Sequence, residues 1–346
     1  MKNRKIKILC LFLILFSLTG CTKYITDENK KTVKYDATLI CNSCESKCNE
    51  IDNENEEEKE TCKKECNEKC TLAKKNQTGQ NLTSNILCRP TNKDVLEIYE
   101  MYNIKIKDIP ECNNFTIFSN YEGLWISIFV KPLAWIIIKI GELLNNYGLS
   151  LIIVSIAIRA ALMPLTKKTA MQSENLKKAQ SDINRINKKY ENKQDQQSQM
   201  QKSQELMLIY KKYDINPLSN CLFAFIQIPL LFAFIEAINR TPAIFEGSFL
   251  GFHLGITPLT ALKSGKWWYL IIVILLALVT YMSFNLNKGA SAGGIDTEKQ
   301  MQMMSKIMII FIVFTSFSLS TAICLYWIAS SAFTIFQNLL VKRVKK

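Results

Sequence analysis

Histidine is almost missing from this chain of 346 residues, which contains a single one, His253. General acid–base catalysis and catalytic zinc sites rely mostly on histidine, so both are disfavoured here. The sequence also lacks a G-x-x-x-x-G-K-[ST] phosphate loop, a G-x-S-x-G nucleophile elbow and an H-E-x-x-H motif. We therefore predict no enzyme activity, no cofactor and no bound metal, and we interpret His253 as an interfacial or turn residue of an external loop.

Apolar residues, by contrast, make up 48% of the chain. They occur in long blocks, which is typical of a membrane protein. The formal net charge is +13, yet residues 22–120 contain 15 Lys or Arg against 18 Asp or Glu. The positive excess therefore lies elsewhere in the chain. We interpret this asymmetry as membrane topology and predict no direct nucleic-acid binding.

The N-terminus predicts a lipoprotein signal. The basic segment MKNRKIK is followed by the short apolar segment ILCLFLILFSL and then by LTGC. L-T-G-C is similar to the bacterial lipobox, in which the cysteine, Cys21 here, receives lipid and becomes the mature N-terminus. Residues 1–20 are then the signal peptide. A plain signal anchor with an incidental cysteine is the alternative.

Five segments are apolar enough to span a bilayer, so we predict an all-α membrane protein with five transmembrane helices. These segments are 147–166, 218–238, 267–286, 306–319 and 321–341. A sixth apolar segment, 123–144, contains Lys131, Lys139 and Glu142. Composition alone does not decide whether this sixth segment spans the membrane or lies at its surface.

Loop charge decides this question, because short loops rich in Lys and Arg stay in the cytoplasm. Residues 167–216 carry 11 Lys or Arg against 6 Asp or Glu, and the tail VKRVKK adds four basic residues. With Cys21 outside and five spans, both segments are cytoplasmic. A sixth span would place both outside. We therefore predict that 123–144 is an external amphipathic helix at the membrane interface.

The connection 167–216 is predicted to be a cytoplasmic helical hairpin. Apolar residues recur at mostly three- and four-residue spacing in its first half, namely Met171, Leu176, Ala179, Ile183, Ile186 and Tyr190. A solvated charged linker is the alternative. The other inner connection, NLNKGASAGGIDTEKQ, is rich in Gly and Ser and predicts a mobile loop.

Besides Cys21, eight of the 12 cysteines lie in the external Cys-rich region, 21–115. Six form two triplets with three- and four-residue spacing, which places each triplet on one helix face. Antiparallel packing of the two helices would align Cys48 with Cys62, Cys44 with Cys66 and Cys41 with Cys70, and would leave Cys88 and Cys112 for each other. An external location favours disulfides. A thiolate metal site is the alternative.

Polar side chains at membrane depth predict a hydrophilic groove. Arg159 lies seven residues before Thr166, about 10 Å inside the first span, and intramembrane charges usually face water-filled cavities. Snorkelling to the inner surface is the alternative. Gln227 and several Ser and Thr hydroxyls add polarity in other spans. Glu236 lies near the opposite end of its span, so Arg159 suits a ligand that brings its own negative charge.

Three segments resemble the YidC/Oxa/Alb membrane protein insertase family, namely YGLSLIIVSIAIRAALMPLTKKT, LIYKKYDINPLSNCLFAFIQIPLLFAFIEAI and CLYWIASSAFTIFQNLL. The similarity covers 118–346, and the lipobox with five spans resembles the Gram-positive lipoprotein branch. The resemblance implies an insertase and chaperone for nascent membrane proteins, which works alone or with the Sec translocon and receives substrates from ribosomes. It also implies that Arg159, Gln227, Tyr326 and Trp327 line a substrate groove open to the cytoplasm.

The chain departs from the family pattern at both ends. Its basic tail is short, which implies weak ribosome binding, and the role of the Cys-rich region is open. Two other functions fit parts of the sequence. A small-anion transporter or channel would use the same buried cation, although the polar residues favour only the inner half of the membrane. A lipid-anchored signalling protein would act through its external cysteines.

Overall fold

A computed structural model of the chain describes residues 32–34, 37–51, 55–76, 81–119, 122–193, 195–216, 219–286 and 295–344. The predicted signal peptide, 1–20, and the lipidation site, Cys21, lie outside the described residues. The described part is mostly helical, as expected for an all-α membrane protein.

The described residues form thirteen α-helices. They are α1 (Ala37–Asn49), α2 (Glu56–Asn76), α3 (Lys93–Met101), α4 (Lys131–Leu144), α5 (Tyr147–Ala161), α6 (Met163–Lys189), α7 (Gln196–Lys212), α8 (Ser219–Asn239), α9 (Pro242–Phe245), α10 (Pro258–Lys263), α11 (Leu270–Leu286), α12 (Ile295–Ser316) and α13 (Thr321–Val344). A π-helical segment, Ile126–Val130, precedes α4.

Short strands and single turns complete the fold. Strand β1 (Thr32–Lys34) pairs antiparallel with β2 (Asn81–Thr83), and β3 (Ser248–Phe249) pairs with β4 (Phe252–His253). The 3₁₀ turns are Ile106–Asp108, Cys112–Asn114 and Trp267–Tyr269.

Two of the five predicted spans form helices that are long and apolar enough to cross a membrane, Trp267–Leu286 and Thr321–Val341. The other three contain shorter apolar helical stretches, Tyr147–Ala161, Gln227–Asn239 and Lys306–Ser316. The first predicted span is shorter than expected because α5 ends at Ala161. Pro164 lacks the N–H that would continue the hydrogen-bond ladder at this point.

Helices α6 and α7 form a hairpin. Leu176, Ala179 and Ile183 of α6 are buried in a cluster that includes Leu206 of α7. Helix α7 begins after Asp195, whose carboxylate accepts a hydrogen bond of 2.8 Å from the Ser198 N–H and so caps the helix. The hairpin helix α6 begins at Met163, before the predicted boundary at 167.

Apolar residues from α4, α5, α8 and α13 form the main core. Ile137, Val154, Phe234 and Ile323 represent these four helices in one buried cluster. A second cluster joins α11, α12 and α13. The predicted loop after α11 is helical from Ile295 onward, and residues 287–294 lie outside the described part.

Part of the Cys-rich region belongs to the main core. Leu87, Cys88, Cys112 and Phe115 are buried in the same cluster as α4, α5 and α8. Conversely, Phe245 of α9 belongs to a cluster whose other members come from the Cys-rich region, where it is buried among residues of β1, α1 and α3. Residues 81–115 therefore pack on the helices that follow them and do not lie apart.

A candidate groove around a buried arginine

Three helices bring their polar side chains together at Arg159. This residue lies in the last turn of α5 and is 6% exposed. Its Nε donates a hydrogen bond of 2.6 Å to Ser330 Oγ on α13, and its Nη2 donates to Gln227 Oε1 on α8. The arginine and the glutamine, both predicted as groove residues, are therefore in direct contact, and Ser330 joins them.

Both hydrogen-bond acceptors of Arg159 are uncharged. Among the residues that the structure describes, no carboxylate forms an ion pair with this guanidinium, and the nearby spans offer only Glu236, which pairs elsewhere. Hydroxyl and amide oxygens hold the side chain in place without neutralising it. The site therefore keeps an uncompensated positive charge, which would attract an anionic group.

A second polar layer lies two helical turns away. Thr166 and Gln337 each follow the first layer by seven residues, and Gln337 Nε2 donates a hydrogen bond of 2.8 Å to Thr166 Oγ1. Both side chains are buried. This pair is not among the predicted groove residues, although Gln337 follows Ser330 by seven residues on α13 and residues seven apart share a helix face. The polar strip is thus about 10 Å long.

Tyr326 and Trp327, also predicted as groove residues, point in different directions. Tyr326 lies one turn before Ser330 and stacks on Phe234 with ring centroids 4.0 Å apart. Trp327 Nε1 donates a hydrogen bond of 3.1 Å to Thr280 Oγ1 on α11. The tyrosine therefore packs beside the arginine site, whereas the tryptophan fastens α13 to α11.

A second buried cluster lies at the other end of α8, and the sequence analysis did not foresee it. Arg240 Nη2 forms an ion pair with Glu122, and Arg240 Nη1 lies 3.6 Å from Glu236 Oε1. Lys131 Nζ, which is buried, lies 3.1 Å from the other oxygen of Glu122. Two cations and two carboxylates therefore balance here.

This balanced cluster is tied to the Cys-rich region. Arg240 Nε donates a hydrogen bond of 2.6 Å to the Asn85 carbonyl, and the Leu87 N–H donates to the Arg240 carbonyl at 2.7 Å. Nearby, Glu246 accepts hydrogen bonds from the backbone N–H groups of Thr91 and Asn92. These polar contacts fix residues 85–92 on the end of α8 and on α9.

The structure joins eight cysteines of the Cys-rich region in four disulfides. They are Cys41–Cys70, Cys44–Cys66, Cys48–Cys62 and Cys88–Cys112. The first three are nested between α1 and α2. The sulfurs of Cys44, Cys48 and Cys66 lie within 4.8 Å of one another, close enough to bind one metal ion, although a structural zinc site takes four ligands. Disulfide formation in the membrane-bound protein stays a prediction.

The single histidine lies away from the arginine site. His253 is in β4, where burial, and secondarily Lys266, lowers the pKa of its imidazole. Its backbone N–H donates a hydrogen bond of 2.8 Å to Tyr269 Oη. The residue is therefore neutral near pH 7, and its contacts are those of a loop residue next to a helix end.

Comparison with known proteins gives the relatives of this chain. A family model described as 60Kd inner membrane protein matches residues 139–346. Membrane protein insertase YidC of Oceanobacillus iheyensis is 34% identical over 66% of this chain and 88% of its own length. Membrane protein insertase YidC 2 of Bacillus anthracis is 35% identical over 64% and 82%, and membrane protein insertase MisCA of Bacillus subtilis is 36% identical over 63% and 79%.

Proposed function

Because this chain belongs to the 60Kd inner membrane protein family, with YidC and MisCA insertases of Gram-positive type as relatives, we propose that it inserts nascent membrane proteins into the cell membrane. The observation that supports this function best is the buried Arg159, which is held by two neutral partners. The relatives give no support to an anion transporter or to a signalling protein.

The proposed architecture has five spans, carried by α5, α8, α11, α12 and α13. Each contains an apolar helical stretch, although only two have full spanning length. Residues 123–144 form an external helix at the interface, and its exposed Ile128, Phe129 and Leu143 support contact with lipid. The basic hairpin of α6 and α7 is cytoplasmic, as is the C-terminus. Cys21 carries the lipid outside.

In the proposed mechanism, the polar strip from Gln337 to Arg159 opens to the cytoplasm and shortens the apolar path that a hydrophilic tail must cross. Arg159 attracts an acidic residue of that tail, since an anion next to a desolvated cation gains more than it does in water. The apolar segment of the substrate then moves sideways into lipid. No nucleotide hydrolysis is needed for these steps.

The proposed partners are nascent membrane proteins, the Sec translocon for larger substrates and, weakly, the ribosome. The 11 basic residues of 167–216 provide a surface suited to an anionic partner such as the ribosome.

The proposal is tested by depletion complementation in a bacterium whose own insertase is removed. The full chain should restore growth and the insertion of a small substrate with an acidic tail. Arg159→Ala should abolish this insertion, whereas Arg159→Lys, which keeps the charge and loses the planar fork, should retain part of it. A matched substrate with a neutral tail should depend less on Arg159. Full insertion of the acidic tail by Arg159→Ala would refute the groove mechanism.

A further inference from the structure

The turn between β3 and β4 carries a large apolar side chain in a backbone conformation that such side chains avoid. Leu250 has a φ of 50° and Gly251 a φ of 81°. Both central residues are therefore left-handed, as in a type I′ hairpin turn. Asn, Asp or Gly normally takes the first position, because a bulky side chain is strained there. A leucine at this position calls for a compensating interaction.

The described part of the chain supplies little of that interaction. The Leu250 side chain is 80% exposed, and a Cβ at the neighbouring Gly251 would have no heavy atom within 4 Å. The surrounding sequence is also unlike a loop in water, since residues 247–262 contain no Asp, Glu, Lys or Arg. Packing within the described part of the chain therefore does not explain the leucine.

Two contacts place the turn at the level where helices leave the membrane. Phe249 packs so closely on Gly148 that no Cβ would fit there, and Gly148 lies in the first turn of α5, at the end opposite to Arg159. On the other strand, the Phe252 ring meets the Tyr269 ring edge-on at 5.1 Å. Tyr269 belongs to the start of the candidate span Trp267–Leu286.

The residues next to Tyr269 have the composition of a membrane interface. Trp267 and Trp268 are both exposed, and Lys263 and Lys266 precede them. Tryptophan rings and lysine ammonium groups concentrate at the headgroup level of bilayers. The hairpin of β3 and β4 therefore lies beside an interfacial belt, with its turn free to enter lipid.

We propose that Leu250 inserts into the outer leaflet of the same membrane, where it contacts phospholipid acyl chains and anchors the loop 247–262. Transfer of the leucine from water to hydrocarbon compensates the strain of its backbone. This inference rests on the proposed function for the outward orientation of the α5 start and for the span of α11.

Spin labels test the contact directly. The labels are placed, one at a time, at Leu250→Cys, at Ile274→Cys on the exposed face of α11, and at Lys107→Cys in the external region. The protein alone is studied in vesicles of phosphatidylethanolamine and phosphatidylglycerol without reductant, and the labelled parent protein supplies the background. Collisions with oxygen report lipid, and collisions with a nickel chelate report water.

The label at 250 should match that at 274, with high oxygen accessibility and nickel accessibility several-fold below that at 107. Nickel accessibility equal to that at 107 would place Leu250 in water and overturn the inference. Low accessibility to both reagents would place it against protein, such as a second copy, and would overturn it as well. A water-exposed label at 274 would instead remove the α11 span, and with it the proposed architecture.

A second variant separates lipid contact from a role in folding. Leu250→Asn introduces a residue that favours the left-handed turn, so the thermal stability in detergent should stay the same or rise. A label at Ser248→Cys should nevertheless gain nickel accessibility in the Leu250→Asn background. Leu250→Met, which keeps the apolar side chain, should leave that label unchanged. No gain with Leu250→Asn would show that the leucine does not hold the turn in lipid.

Discussion

Two buried arginines in this protein differ in their partners, and the difference indicates what each one does. Arg240 lies beside the carboxylates of Glu122 and Glu236, whereas Arg159 lies beside the hydroxyl of Ser330 and the amide of Gln227. A buried cation with carboxylate partners is neutralised and fixes the elements that carry them. A buried cation with neutral partners is positioned but keeps its charge for a ligand.

The largest effect is expected at Arg240. Arg240→Ala would leave the carboxylates of Glu122 and Glu236 with Lys131 as the one remaining cation of the cluster, and breaking a buried pair from one side costs about 3–5 kcal/mol. Because Glu122 is partly exposed, we expect the lower part of that range. Arg159→Ala removes a cation from neutral partners and should destabilise the protein less. Thermal unfolding of both variants in detergent measures the contrast, which equal losses would contradict.

The second effect concerns the disulfide between Cys88 and Cys112. Cys88 and Cys112 are buried in the main core, whereas the other bridges staple α1 to α2. Replacing Cys88 and Cys112 by serine should lower the stability of the whole protein by about 2–4 kcal/mol. Replacing Cys48 and Cys62 should loosen only the α1–α2 hairpin.

Protease sensitivity and thermal unfolding distinguish these two outcomes. The Cys88 and Cys112 variant should unfold at a lower temperature as one unit. The Cys48 and Cys62 variant should be cut in α1 or α2 while its main transition is unchanged. Free thiols at all eight positions in the untreated protein, found by mass spectrometry, would remove the basis of this prediction and favour the metal alternative.

A third variant gives Arg159 the kind of partner that Arg240 has. Gln227→Glu would give Arg159 a carboxylate partner that competes with an acidic substrate tail. A coupling of roughly 1.4 kcal/mol corresponds to an approximately tenfold lower rate of insertion for that tail. Gln227→Met, which removes the hydrogen bond without adding charge, is the matched control and should have a smaller effect. Insertion assays in vesicles measure the rates, and an unchanged rate for Gln227→Glu would show that the charge of Arg159 is not used.

The sequence predicts the segments that carry apolar helices, and it predicts the face of α6 that is buried against α7, because both follow from local periodicity. It also selected Arg159 and Gln227, which lie on different helices yet make contact. It missed the cluster of Glu122, Lys131 and Arg240, since its members come from distant positions that only the tertiary fold brings together.

In the sequence, the Cys-rich region, 21–115, lies outside the part of the chain that resembles the family, 118–346. In the structure, however, the two parts of the chain pack against each other. Arg240 binds the carbonyl of Asn85, and Phe245 is buried among residues from β1, α1 and α3. No local sequence pattern predicts such contacts, because neither Asn85 nor Arg240 belongs to a motif in its own segment.

The smallest expected effect is a pH response of the α6–α7 hairpin, whose ion pairs are exposed, unlike the buried ion pairs of Arg240. Hydrogen bonds from Lys212, and then from Tyr213, lower the pKa of Asp182, and those from Lys189 and Tyr190 lower the pKa of Glu205. A lowered carboxyl pKa stabilises the folded state above the unfolded value of about 4, and this contribution is lost as the pH falls through the lowered value.

The distance between spin labels at Asn184→Cys and Gln201→Cys measures this response. The distribution should broaden between pH 6 and pH 3. Removing both carboxylates, with Asp182→Asn and Glu205→Gln, should produce the broad distribution already at pH 6. A distribution that is narrow at both pH values would mean that the apolar contacts of Leu176, Ile183 and Leu206 hold the hairpin alone.

The break between α5 and α6 at Leu162 has a mechanical consequence. Helix α6 has 27 residues and is therefore about 40 Å long, whereas Arg159 lies only three residues, or about 4.5 Å, on the other side of the break. A tilt of about ten degrees around Leu162 would move the far end of α6 by roughly 7 Å, but a point 4.5 Å from the pivot by less than about 1 Å. If a partner pulled on the tip of the hairpin and tilted it around Leu162, the hairpin would act as a long lever, and the guanidinium would stay in register with Gln227 and Ser330.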